Sequence, residues 1–304
     1  MITFRYYIVT LMAVFLALGL GVLAGTTFIP PATVAALKRS FDRVDRANER
    51  LRSTVETLDR RNQRLSQFTA ATRALVVRDV LKDHPVVLVV MESTPEEAVA
   101  AVGDVLLASG GRLEGSIELS DRLDGQGGPQ RRLLALALEA PTEDPEALRI
   151  LLVEQMAGAL SGRSPGAFQR LVDASLARVR ELPGATPRPP AALAAPGSAI
   201  VILSPGPRRQ PGVLAEGVLA PLVRSLSAAS VLVAVGEAGS ERLGLVRLIR
   251  REPGLRVVTV DGTEAPVGQA ALVLGLRAGV EGRFGHYGSG EGASGMVPVA
   301  GPGR

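Results

Sequence analysis

The chain has 304 residues, 46% of them apolar, enough to build one large or two modest folded domains beyond its N-terminal segments. It contains no cysteine, which excludes disulfides, zinc–thiolate sites and thiol catalysis. The net charge of +4 originates in residues 37–83, where twelve Lys/Arg face seven Asp/Glu, so no folded basic surface for nucleic acid is implied.

From Tyr6 to Ile29 the chain carries no charge; Arg5 precedes this run and Pro30-Pro31 follow it. About 20 apolar residues cross a bilayer, so residues 1–31 read as a transmembrane signal-anchor helix. Tyr6 and Tyr7 stand where interfacial aromatics belong. The alternative is a cleaved signal peptide, because Val22-Leu23-Ala24 satisfies the small-residue cleavage rule. Ala17, Gly21 and Gly25 form a small-xxx-small ladder that lets two helices approach closely in lipid, which favours retention. A short N-terminus normally stays inside, which places the bulk of the chain outside the cytoplasm, in the cell envelope.

Residues 32–83 read as a coiled-coil stalk. Leu37, Val44, Leu51, Leu58 and Leu65 recur every seven residues and occupy d; Val34, Phe41, Asn48, Val55, Asn62 and Thr69 occupy a. Leu at d with intermittent Asn at a suits a parallel two-stranded coil, because a buried Asn is best satisfied by its twin. The spacing therefore predicts a homodimer or higher homo-oligomer, with Asn48 and Asn62 fixing register at a cost in stability. The rival is a long amphipathic helix packed on its own domain.

After Asp83 the pattern becomes α/β. Val86–Val90 is a continuous apolar run, as a strand covered on both faces requires. Ser93-Thr94-Pro95-Glu96-Glu97 starts a helix with a hydroxyl cap, and Gly110-Gly111 stop it. Arg112–Leu119 alternates like a second strand, and Pro145–Leu160 and Pro165–Leu182 read as helices. Residues 84–182 form the first part of the domain and Pro183–Gly197 a Pro/Ala-rich linker. Residues 198–281 form the second part, with strands at Ala199–Leu203, Val231–Val235 and Arg256–Val260 and helices over 212–229 and 240–251. Residues 282–304 make an irregular Gly-rich tail. The alternation predicts a mostly parallel, doubly wound sheet.

Ligands of such sheets bind beyond the carboxyl ends of the strands, which here carry Met91-Glu92, Asp121, Ser204, Glu237 and Asp261. These acids suit a hard-metal or acid/base site, yet Asp, Glu and Ser are also ordinary loop and capping residues. No Gly-rich phosphate loop follows a strand. The two histidines, His84 and His286, lack a nucleophile elbow, so no enzyme, catalytic residue or bound cofactor is expected. Beyond the initiator Met1 and Met12 of the apolar segment, soft-metal candidates are His84, Met91, Met156, His286 and Met296, with only His286 and Met296 at workable spacing. The Gly285-His286-Tyr287-Gly288 turn can instead dock on the domain through Tyr287, and docking is the preferred reading because two ligands on a mobile tail gain few bonds for their ordering entropy.

The N-terminal string ITFRYYIVTLMAVFLALGLGVLAG, the heptad stalk, the run HPVVLVV, Gly285-His286-Tyr287-Gly288 and Met296-Val297-Pro298 together resemble the actinobacterial MctB family of copper transport outer-membrane proteins. The resemblance covers nearly the whole chain through diffuse motifs. It implies an envelope protein that keeps intracellular copper low, as a channel or as an accessory to export, with copper as a transported ion and an outer-membrane location. Read from the residues alone, the chain is a structural scaffold, a dimeric anchored stalk presenting a head to envelope protein partners. An outer-membrane barrel needs alternating strands and aromatic girdles. Beyond residue 83 the strands are continuously apolar and the aromatics are only Phe168, Phe284 and Tyr287.

Overall fold

A computed structural model describes residues 3–27, 31–164, 166–185, 188–190, 194, 197–206, 212–239 and 244–299. The chain divides into two compact units, Met1–Leu65 and Ser66–Arg304.

The first unit is helical. Helix α1 (Thr3–Thr27) contains one apolar stretch, Arg5–Gly25, long enough to cross a membrane, and none of it is buried in the protein. Helix α2 (Pro31–Val77) starts in this unit and ends in the second. Its heptad positions Leu37, Val44, Leu51, Leu58 and Leu65 are all exposed in the single chain, Leu51 by 63%. Position a at Val34 lies where side chains are not described.

The second unit is built on a seven-stranded sheet of order β3-β2-β1-β4-β5-β6-β7, parallel except for β3. The strands are β1 (Pro85–Met91), β2 (Arg112–Leu119), β3 (Ala177–Val179), β4 (Ala199–Ser204), β5 (Val233–Glu237), β6 (Val257–Asp261) and β7 (His286–Tyr287). In β1, successive side chains enter opposite layers, as the period of two requires. Val86, Leu88 and Val90 meet α3 (Glu96–Ala108), α10 (Pro266–Val280), the end of α2 through Val77, and the turn after it through Leu81. Val87, Val89 and Met91 meet the other layer. That layer comprises α4 (Gly128–Ala137), α5 (Pro145–Leu160), α6 (Ala167–Asp173), α7 (Gly212–Leu214), α8 (Ala220–Ala228) and α9 (Leu245–Arg250). A π-helical segment, Ala215–Leu219, joins α7 to α8. Both faces of the central strands are covered, which is why they read as unbroken apolar runs.

Local chemistry explains the boundaries. The Asp144 carboxylate accepts from the Ala147 N–H at 2.9 Å, and Pro145 opens α5 where its missing N–H costs nothing. Helix α3 departs from the expected hydroxyl cap: its N-cap is Pro95, and Ser93 instead donates to Asp121 at 3.4 Å. Gly110 ends that helix turn at φ +77°, close to the backbone of Lys82, where a side chain would be strained.

Three expectations are corrected. Pro165–Leu182 is not one helix: α6 stops at Asp173, and Leu176 turns the chain into the antiparallel edge strand β3. The tail is not wholly irregular, because His286-Tyr287 adds β7 to the sheet beside β6. Helices α4 and α10 stand where no helix was expected. Within Pro183–Gly197, Arg188 pairs with Glu114 at 3.1 Å, and Ala185 packs on the core. Residues 186–187, 191–193 and 195–196 of that stretch lie outside the described residues, as do 240–243 of the expected helix 240–251.

Candidate functional site

The carboxyl edge of the sheet carries two separate polar networks. On one half, Glu92 follows β1 and Ser120, Asp121 and Arg122 follow β2. Glu92 accepts from the Ser120 hydroxyl at 2.7 Å and from the Asp121 N–H at 3.2 Å. The Ser120 bond holds the Glu92 carboxyl below its usual range, against the opposing effect of burial. Burial moves Asp121 the other way, with Ser93 opposing it and the Glu92 charge adding to it. Behind them Glu118 is buried and paired with Arg178 at 2.6 Å and Arg180 at 2.8 Å. Arg180 also reaches Glu96 at 3.2 Å. A cavity of about 360 Å³ opens here, its polar wall made by Glu92, Glu118, Ser120, Arg122, Ser175 and Arg178. Its carboxylates and guanidinium groups largely neutralise one another, so it suits a small polar ligand of mixed charge more than a bare cation.

On the other half, Glu237 ends β5 and Asp261 ends β6, opposite each other in register. The Glu237 carboxylate accepts from the Gly244 and Val246 N–H groups at the start of α9. Burial still pushes its pKa upward against those bonds. Asp261 is paired with Arg250 at 2.8 Å, and both side chains are almost fully buried. The same guanidinium donates to Thr259 at 3.0 Å, to the Tyr287 carbonyl at 2.7 Å and to the Glu291 carbonyl at 3.0 Å. Asp261 also accepts from the Ser289 and Gly290 N–H groups, at 2.9 Å and 3.2 Å. The C-terminal turn is thus tied to the sheet through one buried ion pair.

Glycines make this docking possible. Gly288 sits at φ +124°, and a Cβ there would collide with the Asp261 carboxylate. A Cβ on Gly275 of α10 would crowd Val258 and the Tyr287 ring, which is 8% exposed. Tyr287 therefore enters one layer of the core, while His286 faces the other and makes a 3.0 Å bond between Nδ1 and the Thr259 hydroxyl oxygen. Burial, then the Arg250 charge, lowers the His286 pKa.

Ser204 ends β4 beside Glu237 in register. Met91 and Met156 are buried in the core, and His84 precedes β1 at the opposite edge. Ser294 donates to the His286 carbonyl at 2.7 Å, so the backbone leading to Met296 passes beside His286, while the Met296 side chain is 48% exposed. Among the described residues no group of three or more His, Cys, Asp or Glu is placed to hold a metal. The structure therefore brings Glu92 together with Asp121 and Glu237 together with Asp261, as two networks.

The arginines are the residues that sequence reasoning missed. One signal was available: Thr259 and Asp261 alternate with valines on β6, which places two polar groups on one face. Arg250, the last residue of α9, is their partner. Arg178, in a strand of only three residues, and Arg180, just after it, carry no comparable local signal.

Comparison with known proteins adds a whole-chain likeness. The family profile described as "Copper transport outer membrane protein, MctB" matches residues 1–298. Proteins called "Copper transporter MctB" from Mycobacterium bovis and Mycobacterium tuberculosis are 24% identical over 310 residues, covering 96% of this chain and 98% of theirs.

Proposed function

Because the chain belongs to the MctB family, we propose that it is a membrane-anchored envelope protein of copper homeostasis, acting in copper efflux as an accessory to export. The observation that carries this reading is the end-to-end match: anchor, stalk and head all align with relatives called copper transporters. The accessory role is favoured over a pore because the head is an open, linear sheet covered by helices on both faces and filled by two apolar cores. Among the described residues, the one helix long and apolar enough to cross a membrane is Arg5–Gly25, outside the head. The reading is non-enzymatic, since each acid of the carboxyl edge is engaged in structural hydrogen bonds or ion pairs. An outer-membrane location is part of the family description and is carried over as a proposal. The test is copper tolerance of a deletion strain, with intracellular copper measured by mass spectrometry. Higher intracellular copper and lower tolerance, both reversed by the intact gene, are expected. Unchanged copper and tolerance in the deletion strain would sink the proposal.

A second reading has its own observation. The exposed leucine stripe of the long helix supports a scaffold in which two parallel copies pair through Leu37, Val44, Leu51, Leu58 and Leu65, with Asn48 and Asn62 facing their twins. Such a stalk would present the head to envelope partners. It is compatible with the copper role, and loss of envelope partners on deletion without any copper phenotype would favour it alone.

A further inference from the structure

We propose that the contact with a second copy of this chain continues past the heptad stalk to Leu75, through a change of register at Leu65–Phe68. The inference rests on the parallel pairing of Leu37–Leu65 proposed above and extends it. A strict heptad would carry the stripe from Leu65 to Thr69, Thr72 and Val76. The helix cannot offer Thr69 and Thr72 fully, because that side turns inward: both are partly covered, Arg73 bonds Gln269 of α10, and Val77 is completely buried. On the side left open, Phe68 is 68% exposed and Leu75 66%, much like the stalk leucines. Phe68 and Leu75 repeat at seven residues, with Ala71 between them. Phe68 follows Leu65 by a three-residue step where the heptad requires four. Such a stammer overwinds a coiled coil locally but keeps its seam continuous. Large apolar side chains exposed singly are unremarkable, whereas a spaced row of them marks a contact surface.

The occupant is a second copy, aligned in parallel. Helix α1 ends at Thr27 and α2 begins at Pro31, so two chains anchored in one membrane leave it in the same direction. An antiparallel partner would set Asn48 against Leu51 and Asn62 against Leu37, burying amides without partners at a cost of roughly 1–3 kcal/mol each. In parallel register, Ala47 faces Arg52, Thr54 faces Asp59 and Arg61 faces Ser66 across the seam, so no like charges meet.

The cysteine-free sequence makes the test clean. Single variants Leu51→Cys, Leu75→Cys and Arg46→Cys of the full chain are oxidised with diamide in native membranes, and disulfide-linked homodimers are measured. Leu51→Cys reads the stalk pairing, Leu75→Cys its continuation, and Arg46→Cys, on the outer face, random collision. Dimer yields at least tenfold above Arg46→Cys are expected for both leucine positions. A linked Leu51→Cys with an unlinked Leu75→Cys would end the contact at the stalk and overturn the proposal while leaving the dimer standing. Failure of both, or equal yields at all three positions, would overturn the pairing itself. Phe68→Cys reads the same continuation should Leu75→Cys not accumulate. Because copper tolerance is read separately, failure here leaves the copper assignment untouched.

Discussion

At Gly288 the choice of residue decides whether the C-terminus belongs to the fold. With no Cβ, the chain passes over the Asp261 carboxylate, lets Ser289 and Gly290 donate to it, and seats Tyr287 against Gly275. Tyr287→Ala should therefore cost about 3 kcal/mol, read as a lower midpoint in denaturant unfolding of the head. His286→Ala gives up one bond to Thr259 and should cost about 1 kcal/mol or less. Copper tolerance should be unaffected by His286→Ala; a greater copper defect in that variant than in Tyr287→Ala would favour the metal reading of His286 and Met296. Arg250→Ala leaves Asp261 buried without its counterion and should cost about 3–5 kcal/mol, with early trypsin cleavage in the C-terminal turn as the readout. The pH response follows from His286. Its folded pKa lies below the ordinary 6.5, so between the two values the folded state holds fewer protons than the unfolded one. Its contribution is complete above about pH 6.5 and is lost as pH falls through the folded value. His84 is shifted in the same direction. The melting temperature should drop from pH 7 toward pH 5, less so in His286→Gln and least in the double variant with His84→Gln. Glu237, shifted upward by burial, acts with the opposite sign, its contribution being lost as pH rises through its folded value.

Among the elements, the long helix makes the sharpest claim. Replacing Asn48 and Asn62 together by Leu should stabilise the paired stalk by roughly 2 kcal/mol per layer, and the loss of the buried amides should release strand number toward trimers or tetramers. Sedimentation equilibrium of a residue 34–83 peptide checks both; a monomeric wild-type peptide would remove the coil. The helix was legible because it imposes a period on many residues, and the central strands because they form continuous apolar runs. Val86–Val90 and Ala199–Leu203 are apolar throughout, since both faces are covered. The edges were not legible, because β3 has three residues, mostly exposed, and β7 has two. Helix α10 escaped because Gly268, Gly275 and Gly279 interrupt its pattern; each lies where a Cβ would strike a neighbour, so close packing overrides helix propensity there. The strand-end acids were visible in sequence, but their arginine partners are reached only through tertiary folding: Arg180 lies on a segment remote in the chain from Glu118.

At the scale of the whole molecule, the two ends of the head share one core. Val77, the last residue of α2, and Leu81 in the turn after it belong to the same apolar cluster as Tyr287, and Val297 packs against it. The central strand β1 pairs with β4 across more than a hundred residues of intervening chain, and β6 gains its outer neighbour only from residues 286–287. This arrangement governs the timing of folding. Non-local pairing pays its loop entropy before any contact rewards it, and chains built this way fold slowly. On the envelope placement proposed above, a head exported N-terminus first would expose its apolar strands until the last residues arrived. On that placement its quality control would fall at release: a chain truncated before Gly285 should emerge with its sheet unlatched and be degraded, which pulse-chase labelling would register as a shortened half-life.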